Sequence, residues 1–219
     1  MVLDYIYYRM LLALRLATTM LEISSPFLIK GNYAGIGFFV DAEFSKIMIF
    51  DEGYEPKSHE AREYYDELAK IAKYYHGFTG APSASLKRYG ITRIVPDTTF
   101  PVLSRLASEF FQPLESPIYE TLSASALNCI LFMRAVTCVH EVVHAVFHSH
   151  DLVEIVGRAR RGEAMVPEPI VEDFDPEAEL GYALEYYFFG ERPKFNGLPS
   201  DISGGVGVIW ETLGATTVD

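Results

Sequence analysis

Basic residues are scarce in this chain. Eighteen lysines and arginines stand against thirty acidic residues, a net charge of −12. That balance excludes partners whose affinity rests on dense positive patches, namely nucleic acid and anionic membrane surfaces. The one basic cluster, Arg158, Arg160 and Arg161, is short, and acidic residues follow it. Cysteine is nearly absent as well. Cys129 and Cys138 fall nine residues apart in one expected helix, too far to bridge each other, so both are expected to be reduced and partly buried. A secretory leader is not expected either. Asp4 stands where a positive region belongs, Arg9, Arg15 and Glu22 interrupt the apolar run, and no clear small-residue cleavage site follows. No uninterrupted apolar span reads as long enough to cross a bilayer, so a soluble, cytoplasmic protein is expected. Internal repeats, low-complexity tracts and linkers are lacking too. At 219 residues, half of them apolar, the chain is expected to form a single domain over 1–219.

Apolar residues recur at helical spacing from Leu3 to Leu21, which predicts an opening amphipathic helix ended by Ser24-Ser25-Pro26. Two β-rich runs, 35–40 and 46–50, read as a hairpin. Ser58 is a plausible cap for a helix running to about His76, where a histidine suits the helix C-terminus. Residues 78–85, rich in Gly, Pro and Ser, read as loop, 90–95 as a short strand and 101–111 as a helix. Past Pro117 no proline or glycine occurs until after His150. That predicts an apolar helix over about 117–150, or two joined by a kink around 123–125. Residues 157–173 read as a loop over a cleft.

The chemistry concentrates in the apolar stretch 117–150. Four of the six histidines fall within eleven residues, and His140-Glu141-Val142-Val143-His144 forms a His-Glu-x-x-His motif. On a helix His140 and His144 lie one turn apart on one face, so two imidazoles can converge on one metal ion. Glu141 is offset by one residue, beside the metal rather than on it, where it can exchange a proton with an activated water. A helix whose histidines only flank a core is the competing reading. Against it, buried imidazoles and a carboxylate need partners, and a metal supplies one.

A third ligand is required, and two routes are open. His150 stands six residues after His144, but Phe147 occupies the place where a glycine would break the helix. If the helix continues, His150 points about 120° away from the His140/His144 face. The other route is a glutamate from a downstream helix over about 176–189, with Asp175 as cap, Pro176 in the first turn and Gly190 after the last apolar positions. Leu180, Ala183, Leu184, Tyr187 and Phe188 mark its buried side. Glu179 and Glu177 sit at its margins, Glu179 being preferred and Glu177 the alternative, and Glu185 points more outward.

With these residues in view, 137–190 resembles the zinc-metallopeptidase-like zincins whose third ligand is a glutamate, the gluzincin type. His-Glu-Val-Val-His, with the later Glu-Pro-Ile-Val-Glu-Asp and Ala-Glu-Leu-Gly-Tyr-Ala-Leu-Glu, is similar to a group of mostly uncharacterised fungal proteins. The resemblance implies an α+β, mostly helical fold with a small mixed sheet above the active-site helix. It implies Zn2+ held by His140, His144 and Glu179, with Glu141 as general base. A departure is that Tyr182 stands three residues after Glu179, where a small residue is usual. One strand of the 35–50 hairpin is then expected to edge the site. The implied activity is a zinc-dependent hydrolase, metallopeptidase-like, in which activated water attacks a carbonyl of a peptide or small-molecule substrate. The alternatives are a zincin-fold hydrolase, lyase or cyclase acting on a small molecule, or a non-catalytic metal-binding module. Tyr182, Tyr186, Tyr187, His148 and His150 are the candidate oxyanion donors. The sequence does not set the oligomeric state.

Overall fold

The computed structural model describes residues 2–25, 27–28, 37–40, 46–49, 57–81, 89–115, 117–149, 152–163, 179–196 and 207–211. Helix α1 (Val2–Ile23) buries Arg9, Ala13, Ala17 and Met20, a stripe at helical spacing, against the central helix. Arg9 is the exception on that stripe. Its guanidinium pairs with Glu120, donates to the Leu114 carbonyl and lies 4.1 Å from the centre of the Tyr119 ring. Strands β1 (Gly37–Val40) and β2 (Lys46–Ile49) pair antiparallel, as the hairpin reading expected.

Helix α2 (Ser58–Lys70) starts one residue earlier than a Ser58 cap would imply. Lys57 is the cap position, and its N–H donates to Glu60 Oε2 at 2.7 Å. A π-helical turn, Ile71–Tyr75, then delivers the chain into strand β3 (His76–Ala81). His76 therefore opens a strand instead of closing a helix, and residues 78–81 are strand instead of loop. The reason is non-local: β3 runs parallel to β5 (Val102–Ala107), with His76 opposite Val102 and Ala81 opposite Ala107.

The expected helix over 101–111 is likewise replaced by β5, followed by a 3-10 turn at Ser108–Phe110 and the short α3 (Gln112–Glu115). Val102, Ser104 and Leu106 are buried while Leu103 and Arg105 are less so, the period of two that a strand imposes. Strand β4 (Gly90–Ile94), placed where expected, pairs antiparallel with β5, and the sheet order is β3-β5-β4.

A 3-10 segment, Pro117–Thr121, precedes the central helix α4 (Ala124–Ser149). The division falls at the serines, where Ser123 Oγ accepts the Ala126 N–H at 3.2 Å and caps the helix. Helix α4 is surrounded by α1, the β3-β5-β4 sheet and helix α6 (Leu180–Phe189). Ile130, Leu131, Met133, Val136, Val139, Val143 and Val146 are buried on several of its faces. Each such side chain stabilises the fold by about 1.5–3 kcal/mol through removal from water. By length and composition α4 is apolar enough to cross a membrane, with a mean hydropathy of 1.5, which corrects the expectation that no such span exists. In this fold 78% of an 18-residue apolar stretch within α4 is buried inside the protein.

Helix α5 (Leu152–Arg161) occupies part of the expected loop, ending at Gly162 with φ 69°. Helix α6 starts at Leu180, and residues 176–178 of the expected helix lie outside the described residues. Gly190, at φ 68°, terminates it by donating its N–H to the Tyr186 carbonyl at 2.8 Å. Strands β6 (Arg192–Asn196) and β7 (Gly207–Glu211) pair antiparallel. The described residues are thus mostly helical with a small mixed sheet, an α+β architecture.

Candidate metal centre

Helix α4 presents His140 and His144 on one face with their ring centres 5.0 Å apart. The third group comes from the entry into α6. Glu179 is not inside that helix but caps it, with φ −150° and ψ 102°. Its two carboxylate oxygens divide the work. Oε2 accepts the Tyr182 N–H at 2.7 Å, which orients the side chain. Oε1 is thereby turned towards the histidines, 3.0 Å from His140 Nε2 and in contact with His144 Nε2. One ligand atom from each of the three residues lies within 4.8 Å of the others.

This donor set fits a divalent cation. Zinc bonds of about 2.0–2.1 Å in a tetrahedron place neighbouring ligand atoms roughly 3.3 Å apart. The 3.0 Å between Glu179 Oε1 and His140 Nε2 is close to that edge. Two imidazoles and a carboxylate are also the borderline donors that zinc accepts.

Glu185, expected to point outward, is buried, and its Oε1 lies 2.8 Å from His140 Nδ1. A neutral His140 donates Nδ1–H to it, which leaves the Nε2 lone pair aimed at the metal position. Gly181 stands one turn before Glu185 on the same side of α6. A Cβ there would come within 2.5 Å of Cγ, Cδ2 and Nε2 of His140. The His140 ring therefore lies against bare backbone.

Electrostatics follow from this crowding. Burial alone would hold His140 neutral, but Glu179 and Glu185 outweigh it and raise its pKa well above the ordinary value. For Glu179, burial opposes ionisation, but His140 and His144 hold the carboxyl well below its usual range. A cation shared among these groups is what the arrangement favours, whether a proton or a metal.

Glu141 is only 2% exposed. Burial raises its pKa, against the opposing pull of His140, His144 and a hydrogen bond from Thr92. That bond, Thr92 Oγ1 to Glu141 Oε2, measures 2.6 Å. A Cβ on Gly90 would fall 2.4 Å from Glu141 Oε1, so only glycine leaves the carboxylate its slot under β4. The strand against Glu141 is thus β4, an edge of the β3-β5-β4 sheet.

The remaining candidates are spread out. Tyr182 packs its ring 5.0 Å from His140, with Arg192 stacked on it at 3.1 Å. Tyr187 is half exposed and packs on Phe27 at 5.1 Å. Tyr186 accepts the Gly190 cap through its carbonyl, and His148 lies 5.5 Å from Phe147. His150 and Glu177 lie outside the described residues. Both cysteines are free, and burial pushes the Cys138 thiol up to about 12, so it stays protonated. Gly181, Glu185, Gly90 and Thr92 were not identified from sequence. The Gly-x-x-x-Glu spacing of the first two was the only local signal, since it places both on one helix face.

No protein-family model, no curated protein and no solved structure matches this chain.

Proposed function

We propose that the chain is a zinc-dependent hydrolase of the zincin, metallopeptidase-like type. The observation that carries this reading is the convergence of His140, His144 and Glu179 on one point, with the buried carboxylate of Glu141 one residue from the first ligand. His140 Nε2, His144 Nε2 and Glu179 Oε1 would hold the ion. Zinc bound there supplies Lewis acidity, which makes water nucleophilic near neutral pH and polarises a carbonyl.

The protein's own groups do the rest. Glu185 holds the His140 ring in the tautomer that binds metal. Thr92 occupies Oε2 of Glu141, which leaves Oε1 to take the proton of the attacking water and return it to the leaving group. Burial, which raises the Glu141 pKa, suits a base that must accept a proton and then release it.

The test is metal content and turnover on the purified protein. One zinc per chain is expected, lost in His144→Ala. Glu141→Gln should retain zinc and lose about 10²–10⁴-fold in rate, the range of general acid–base catalysis. A fully active Glu141→Gln protein overturns the mechanism. Peptide-library and metabolite screens separate a peptidase from an enzyme of small molecules, and zinc without turnover of either identifies a non-catalytic module.

A further inference from the structure

Three strands each contribute one side chain to a line of hydrogen bonds that ends on Glu141. His76 Nε2 lies 2.7 Å from Ser104 Oγ, Ser104 Oγ lies 2.6 Å from Thr92 Oγ1, and Thr92 Oγ1 lies 2.6 Å from Glu141 Oε2. Sheet register accounts for the alignment. Thr92 is directly opposite Ser104 on the antiparallel β4–β5 pair, and His76, opposite Val102 on the parallel β3–β5 pair, is diagonal to Ser104. Ser104 is fully buried and His76 nearly so, with the Phe78 ring 4.5 Å from the imidazole.

The direction of this line is set by proton counting. Each hydroxyl has one proton to give. Thr92 Oγ1 lies 2.6 Å from Glu141 Oε2 and 3.1 Å from the Glu141 carbonyl oxygen, which can only accept, so Thr92 donates to Glu141. Thr92 can then only accept from Ser104, and Ser104 can only accept from His76. Burial depresses the His76 pKa to about 4, so the ring is neutral near pH 7 and has a single N–H to offer. The chain closes only if that proton is on Nε2.

We infer that Thr92, Ser104 and His76 are positioning residues that act through Glu141, forming a one-way donor chain that pins Oε2 and leaves Oε1 for the reacting proton. Hydrogen bonds in such a chain polarise and strengthen one another. The catalytic consequence rests on Glu141 being the general base, but the polarity of the chain does not.

Long-range ¹H–¹⁵N NMR of the His76 ring in the full-length protein tests the polarity without any substrate. The wild-type ring should carry its proton on Nε2. Thr92→Val preserves shape but removes the acceptor of Ser104, whose hydroxyl then turns to donate to His76, and the ring should shift to the Nδ1–H tautomer. Thr92→Ser should restore the wild-type form. Packing alone would leave a ring two hydrogen bonds away unchanged. A wild-type Nδ1–H ring, or an unaltered tautomer in Thr92→Val, overturns the chain. With a substrate in hand, Thr92→Val should lower kcat by about 10–100-fold at unchanged KM, the scale of one hydrogen bond to a charged group, with Thr92→Ser near wild type. A tautomer shift with unchanged kcat overturns the positioning role. If Glu141→Gln is instead fully active, the function above fails while the NMR result still decides the chain.

Discussion

Replacing Gly181 by alanine adds one methyl group, and two effects of known sign compete. Alanine is the better helix former, by at most about 1 kcal/mol at a position this near the helix start. Against that, the new Cβ would lie 2.5 Å from three atoms of the His140 ring. Ordinary carbon–carbon contact is about 3.5–4.0 Å, so the overlap is on the order of 1 Å. The ring cannot slide aside cheaply, because Glu185 holds Nδ1 and Glu179 faces Nε2. Overpacking of this kind costs about 1–3 kcal/mol, so the clash wins. Either α6 lifts, carrying the Glu179 cap with it, or the His140 ring rotates off the metal position. Both weaken the site, and the expected loss in zinc affinity is at least the 10–100-fold typical when a group supporting a ligand is disturbed. Competition with a chromophoric chelator measures the affinity, and thermal unfolding of the metal-stripped protein measures the packing cost. A Gly181→Ala protein that binds zinc like the wild type and melts higher would show that helix propensity dominates and that the ring does not rest on this glycine.

Two further outcomes follow from the same geometry. Glu185→Ala leaves His140 Nδ1 without its acceptor, and zinc affinity should fall about 10–100-fold, with Glu185→Gln intermediate because its amide oxygen still accepts; equal affinity in all three proteins, by the same competition assay, would remove Glu185 from the site. Arg134 is 2% exposed, and its guanidinium nitrogens have no hydrogen-bond partner among the described residues. Burial lowers its pKa only to about 10, so it remains a cation at neutral pH, and the groups acting on it, Tyr119 and Cys138, are a phenol and a thiol. Arg134→Met should therefore raise stability by about 1–3 kcal/mol in denaturant titrations, since an apolar chain of similar reach replaces a buried charge; a loss of stability would show that the charge is compensated.

Local spacing was sufficient for part of this site. His140 and His144 share a face because any helix places residues four apart one turn apart, and the proline-free, glycine-free run from 118 to 150 allows little but helix there. The serine break before α4 and the glycine stop after α6 are legible for the same reason, since caps act on their own few residues.

Other features depended on partners distant in the chain. Residues 102–107 form a strand instead of the expected helix because β3 and β4 pair with both edges of β5, and its alternation of burial exists only once those strands and α4 are in place. His76 left the helix end for the interior because Ser104 offers its ring a partner there. Glu185 illustrates the limit most clearly. Judged by the apolar positions of α6, it belonged outside and Tyr187 inside, yet the tyrosine is half exposed and the glutamate buried. A one-dimensional pattern ranks side chains by their dislike of water. Which polar group goes inward is decided by what waits for it, and a carboxylate beside an imidazole on another helix stabilises a burial that no apolar periodicity encodes.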